Sequence, residues 1–445
     1  MKSHASMNRI YRLVFNAALG IWVAVAENAR GKGKGGRAAS ALLAVLAVTS
    51  PAAYAADAGD AAIRGGAGSV ATLGNTTTIH QVSQRLAIDW TKLSTVSGEA
   101  LLFSQPNAQA IALNRITGSA PSSLMGSLTA NGQVFILNPN GVLFGAGSQV
   151  NVGGIVAATL GMNPADFMAG STTFTKTTGA GSVINQGTMT AASGGYLALL
   201  APEVRNEGVM TAILGTALLA AGNKVTLNLN NGSLLGYSLD QGAINALAEN
   251  RQLIKADGGQ VLLSAKALDA LTTATVNNTG VIEAKTIQNI AGRVMLLGDM
   301  EHGTVNVGGT LDASAASNGN NASVVGNGGF IETSAAKVKI ANNVSVTTQA
   351  QNGKTGTWLI DPTDFTIGTG GSAQTASGIG ADTLATSLGT ANVSIATAAG
   401  GSEAGDIFVN AAVGWSSANA LSLTAHRNIS FAGGGSLNGS DAARR

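Results

Sequence analysis

Few side chains in this sequence have the spacing that chemistry requires. A polysaccharide lyase or hydrolase needs several acids, with a cation or base, converging on one face. Here only 11% of residues are charged, and the acids are scattered. Asp361 and Asp364 flank Pro362-Thr363, where aspartate's affinity for turn amides reads as capping. Glu301-His302 reads as an isolated pair on a loop. The 4 histidines, His4, His80, His302 and His426, have no metal-ligand spacing. Gly353-Lys354-Thr355 lacks the upstream glycine of a phosphate loop, and the calcium-binding nonapeptide is absent. Trp90, Trp358 and Trp415 read as core or corner residues rather than sugar platforms. The sequence thus predicts no catalytic residue, no cofactor, no metal site and no enzyme.

One short motif has a definite geometry. Asn138-Pro139-Asn140-Gly141 places proline second and glycine fourth, the arrangement a type I turn favours. Strand signals flank it: Gln133-Val134-Phe135-Ile136-Leu137 before and Val142-Leu143-Phe144 after.

The elements that hold such a turn repeat along the chain. Gly194-Gly195 opens Tyr196–Ala201, Gly215 opens Thr216–Ala221, Gly258-Gly259 opens Gln260–Ala265, and Gly292 opens Arg293–Leu297. Between them recur Ile184-Asn185-Gln186-Gly187, Arg205-Asn206-Glu207-Gly208 and Asn277-Asn278-Thr279-Gly280. A unit that returns every 20 or so residues cannot bury its own apolar face and must stack on its neighbours. The reading is an all-β chain, a β-solenoid. At roughly 22 residues per coil, the chain predicts on the order of 17 coils and a rod of about 80 Å. Residues 56–75 read as frayed, 76–130 as the N-terminal cap, and 240–256 as a short helix or excursion. Leu199, Leu218 and Leu262 are read as inward-facing.

Composition agrees. There are 60 glycines and no cysteine, and the glycines lack the three-residue period of collagen. The formal charge of +2 is uneven. Residues 1–55 hold seven basic groups (Lys2, Arg9, Arg12, Arg30, Lys32, Lys34, Arg37) and one acid, Glu27. Residues 56–445 are left with 18 basic and 22 acidic groups. No nucleic-acid footprint remains past the leader.

That leader ends as a signal peptide. Ala41–Val48 is an apolar run too short to span a bilayer. Ala53-Tyr54-Ala55 is a small-x-small cleavage pattern, placing the cut between Ala55 and Ala56. An uncleaved anchor is the alternative. Upstream, Asn8-Arg9-Ile10-Tyr11-Arg12 and Trp22-Val23-Ala24-Val25-Ala26-Glu27 resemble the extended signal peptide region of large proteins exported by Gram-negative bacteria. That pattern begins at Met7, an alternative start to Met1.

Asn114-Arg115-Ile116-Thr117-Gly118, the stretch Asn131–Gly145 around the Asn138–Gly141 turn, and Val152–Leu160 together resemble the filamentous haemagglutinin N-terminal domain of two-partner secretion exoproteins. Gly356–Phe365 resembles a segment common in the repeats of such proteins. The resemblance implies a right-handed parallel β-helix with an N-terminal β cap. It implies delivery by the Sec machinery and export through an outer-membrane β-barrel transporter carrying POTRA domains, to the cell surface or medium. It assigns Asn138, Pro139, Asn140 and Gly141 to the part of the domain needed for secretion. The expected organisation is an extended signal peptide at 1–55, a secretion domain at 56–310, and further, truncated β-helix repeats at 311–445. The expected function is a haemagglutinin-like adhesin binding a host-cell receptor or glycan. Alternatives are the carrier rod of a larger cytolysin, contact-dependent toxin or haem-acquisition protein, and, third, a carbohydrate-active β-helix enzyme.

Overall fold

The computed structural model describes residues 11–16, 21–26, 60–287, 289–315, 326–371 and 375–440. The chain divides into two units, residues 1–52 and 53–445. In the first, strands Tyr11–Asn16 and Ile21–Ala26 pair antiparallel, with Phe15 opposite Trp22. The cleavage residues Ala53, Ala55 and Ala56 lie outside the described residues.

The second unit is a parallel β-helix with three faces. The first face runs from Thr76–Gln81 to Ser345–Thr347. The second stacks twelve strands from Arg85–Trp90 to Leu421–Thr424, all parallel. The third runs from Ser122–Leu124 to Ile429–Phe431. Strands Gln149–Ala158 and Thr188–Ala201 turn the corner from first face to second without a break. At about 4.8 Å per rung, the twelve strands span roughly 50 Å. That is shorter than the coil count predicts, because excursions consume chain between rungs.

The glycine that opens each second-face strand has a steric cause. A Cβ on Gly195 would sit 1.9 Å from the carbonyl oxygen of Gly153 one rung below. The same contact would be 2.0 Å for Gly215 on Gly195 and 2.0 Å for Gly259 on Gly215. Rungs can close to hydrogen-bonding distance at this corner only where no side chain stands between them.

The interior is one continuous column of apolar side chains. Leu199, Leu219 and Leu263 are in register on successive rungs, all fully buried. Leu218 and Leu262 belong elsewhere, which corrects the inward reading. They point out of the helix and join a second buried cluster with Phe135, Phe174, Tyr196 and Leu227. An excursion sheet covers them. Strands Leu160–Gly161, Thr173–Lys176, Lys224–Asn230 and Ser233–Gln241 pair antiparallel. Together with helix Pro164–Met168, they pack over the outside of the second face. Second-face strands beneath it are buried on both sides and read as unbroken apolar runs, which erases the period-2 signal.

Two further expectations are corrected. Residues 60–73 are not frayed: Ala61–Gly65 pairs antiparallel with Arg85–Trp90, and Gly68–Leu73 with Thr76–Gln81. These antiparallel strands are the cap, and Thr76–Gln81 and Arg85–Trp90 already start the parallel stack. They pair the free edge of the first rung, which would otherwise template aggregation. Of residues 240–256, 240–241 end the excursion strand Ser233–Gln241, while 246–250 and 253–255 are ordinary rung strands rather than a helix. The other helix described, Ala381–Leu388, buries Ala381, Leu384 and Leu388.

Candidate functional site

The Asn138–Gly141 turn joins a second-face strand to a third-face strand in the third parallel rung. The Gly141 amide donates to the Asn138 carbonyl at 3.0 Å, closing the expected turn. Gly141 adopts φ +123°, which a side chain rarely tolerates. Asn138 is fully buried and uses its whole carboxamide. Nδ2 donates to the Ala120 carbonyl and to Ser122 Oγ, each at 3.0 Å. Oδ1 accepts from the Asn140 amide at 3.0 Å. Asn140 is exposed, and its Nδ2 donates to the Gly118 carbonyl at 3.0 Å. Backbone bonds continue the stitching upward: Gly181 N–H to the Pro139 carbonyl and Val142 N–H to the Ser182 carbonyl. The four residues therefore act together as a corner bolted to the rungs on both sides.

Beside the corner opens a cleft of about 650 Å³, lined by Arg115, Thr117, Pro139, Asp166 and Lys176. Arg115 Nε lies 3.3 Å from Asp89 Oδ1, and Arg64 Nε lies 2.9 Å from Asp89 Oδ2. The excursion helix is tied to the first second-face strand by Arg85, which donates to the Phe167 carbonyl at 2.9 Å and lies over the Phe167 ring. Tyr196 is fully buried and donates to Gln133 Oε1 at 2.6 Å. Burial pushes its phenol well above the ordinary value, so it stays a donor.

The candidates for chemistry stay apart. No cluster of three metal-ligating side chains exists among the described residues. His302 sits 3.7 Å from Glu301, while His80 and His426 stand elsewhere. Asp364 Oδ1 accepts the Asp406 amide at 2.7 Å, a capping bond. Asp361 meets no basic partner among the described residues; burial, then the charge of Glu332, pushes its carboxyl above the usual range. Trp90 and Trp358 are core residues whose indole N–H groups donate to Asn114 Oδ1 and Thr333 Oγ1. Trp415 is partly buried and donates to the Asn419 carbonyl.

Sequence reading missed one feature. Asn185, Asn206, Asn250 and Asn278 are all fully buried at one corner. Each Nδ2 donates to the next Oδ1 at 2.8 Å, and Asn278 ends the ladder on the Gly308 carbonyl at 2.7 Å. The signal was present as the Asn two places before glycine in the Ile184, Arg205 and Asn277 phrases, where the asparagines read only as turn formers.

A capped parallel β-helix behind a leader defines an exported rod-like exoprotein. The chain belongs to the TPS secretion domain family, whose model matches residues 55–313, and residues 7–55 match the Extended Signal Peptide of Type V secretion system. It is thus a two-partner secretion exoprotein, exported across the outer membrane to the surface or medium with a cognate outer-membrane transporter. It is similar to a Heme/hemopexin-binding protein of Haemophilus influenzae strain Rd, 32% identical over 53% of this chain and 26% of that protein. A second Heme/hemopexin-binding protein of Haemophilus influenzae is 29% identical over 51% of this chain and 26% of its own length. The chain thus spans about a quarter of these relatives. The crystal structure of the HMW1 secretion domain from Haemophilus influenzae superposes with a TM-score of 0.61 at 21% identity, covering 86% of this chain and 100% of that domain. That likeness supports the β-helix fold.

Proposed function

We propose that this chain is the non-enzymatic, secretion-competent rod of a surface adhesin. Sec delivers it to the periplasm, and a POTRA-bearing barrel passes it through the outer membrane. Residues 1–55 are the leader, 56–310 the secretion domain, and 311–445 further β-helix. Removal of the leader between Ala55 and Ala56, within the Ala53–Ala56 pattern, yields the mature chain. The observation that carries the reading is the capped, bolted corner at Asn138–Gly141 inside the stretch that matches the secretion family.

No nucleotide drives transport in the periplasm, so folding supplies direction. Each coil that stacks outside hinders the chain from sliding back. Burying about three apolar side chains per coil, at roughly 1.5–3 kcal/mol each before entropy is subtracted, favours each stacking step. The turn serves this by building the corner on which the next rung stacks.

The test is a secretion assay with and without the partner barrel, on wild type, Asn138→Ala and Asn140→Ala. Export should require the barrel. Asn138→Ala should lose export together with thermal stability, and Asn140→Ala should lose little of either. An Asn138→Ala chain that folds as stably as wild type yet stays inside would assign the turn to direct contact with the transporter.

A second reading follows from the relatives' names, a carrier for haem or hemopexin acquisition. Calorimetric titration of the exported chain with haem and with hemopexin separates it from the adhesin reading.

A further inference from the structure

The third face carries a cleft of about 190 Å³ at its corner with the first face. Its outward wall is a column in register, Asn277, Asn306 and Lys339 on successive rungs, with Glu249 opposite Asn277 on the rung below and outside the cleft. Asn343 closes the far side. The floor is Gly308, where an added Cβ would stand 3.8 Å from Asn343 Oδ1 and 3.3 Å from the Asn278 carbonyl, filling the space.

The polar groups here are uncommitted. Asn277 donates one N–H to Glu249 Oε1 at 2.6 Å, and its Oδ1 has no partner among the described residues. The side chains of Asn306 and Asn343 have no protein partner among the described residues. Among the described residues, Lys339 has no carboxylate within ion-pair distance, nor has Lys337, two places earlier on the same outward side. The contrast with the first face is direct. There Lys255 is held by Asp257 and Glu283 at 2.9 and 3.1 Å, and Lys285 by Glu283 and Asp312 at 3.2 and 3.3 Å. The two third-face lysines stand about 7 Å apart, and Glu249 lies three rungs from Lys339, about 14 Å. On the next rung Gly378 is opposite Lys339, so no side chain stacks on it.

We propose that this cleft binds one unit of a carboxylate-bearing sugar. Its volume equals that of about six waters at roughly 30 Å³ each, the bulk of a single sugar ring. Each carboxamide offers both donor and acceptor, the match for sugar hydroxyls. Lys339 supplies the charge for the carboxylate, with Lys337 at the rim. No arginine is present for bidentate phosphate recognition.

The test is a titration of the exported, folded chain with glucuronate, followed by NMR, with glucose, acetate and inorganic phosphate as comparators. Glucuronate should bind and the other three at least tenfold more weakly. Lys339→Gln and Gly308→Leu should each cost at least tenfold, Lys339→Arg no more than threefold, and melting temperatures should report whether each variant is folded. Absence of glucuronate binding, equal binding of any comparator, or full affinity in a folded Lys339→Gln chain would overturn the proposal. None of these results bears on export, which the secretion assay tests separately.

Discussion

At the residue scale, buried amides matter more than charges. The ladder from Asn185 to Asn278 puts four carboxamides where water cannot reach, and it works because each donor meets the next acceptor. Removing one member orphans groups on both neighbours, at about 1–3 kcal/mol per buried unsatisfied group. Asn206→Leu should therefore lower stability by more than an isolated asparagine would, measured by urea denaturation against a surface Asn140→Ala control. Equal midpoints would refute a continuous ladder. Asp361 gives a pH prediction. Its pKa is raised on folding by burial and then by Glu332, so the native state holds the proton longer than the unfolded chain. Its stability contribution is present below about pH 4 and lost as pH rises through the raised value. Asp361→Asn should raise the melting temperature at pH 7 and leave it unchanged at pH 3. A gain that persists at pH 3 would contradict the assignment.

Among elements, the glycine corner sets the rung spacing. Gly215→Ala drives a Cβ into the Gly195 carbonyl, and forced overpacking costs about 1–3 kcal/mol. Thermal melting should fall by several degrees, whereas Gly414→Ala, with open space around it, should change little. Equal shifts would remove the steric account. The same corner made the fold legible, because a glycine before each apolar run marks each rung. The turn was legible too, since Asn138, Pro139 and Gly141 each have one job that the residue type announces. The excursion sheet was not. Lys224–Asn230 alternates like any rung strand, and nothing local says that it pairs antiparallel and folds back over Leu218 and Leu262. The side chains it covers hid their own parity, because Leu218-Leu219 and Leu262-Leu263 are apolar on both faces. The cap escaped notice since Ala61–Gly65 and Gly68–Leu73 are poor strand formers that a free sheet edge recruits.

For the whole molecule, the proposed function asks one stack of rungs to drive both folding and export. Antiparallel strands close the first rung, hydrogen bonds run along the rod, and an inward leucine column keeps successive coils in register. The direct measurement is the amount of chain reaching the medium in the presence of the partner barrel. Leu199→Asp, Leu219→Asp and Leu263→Asp combined should leave the chain stalled, while the outward pair Thr190→Asp and Thr211→Asp should be exported as wild type. Undiminished export of the inward triple variant would contradict stacking as the source of direction.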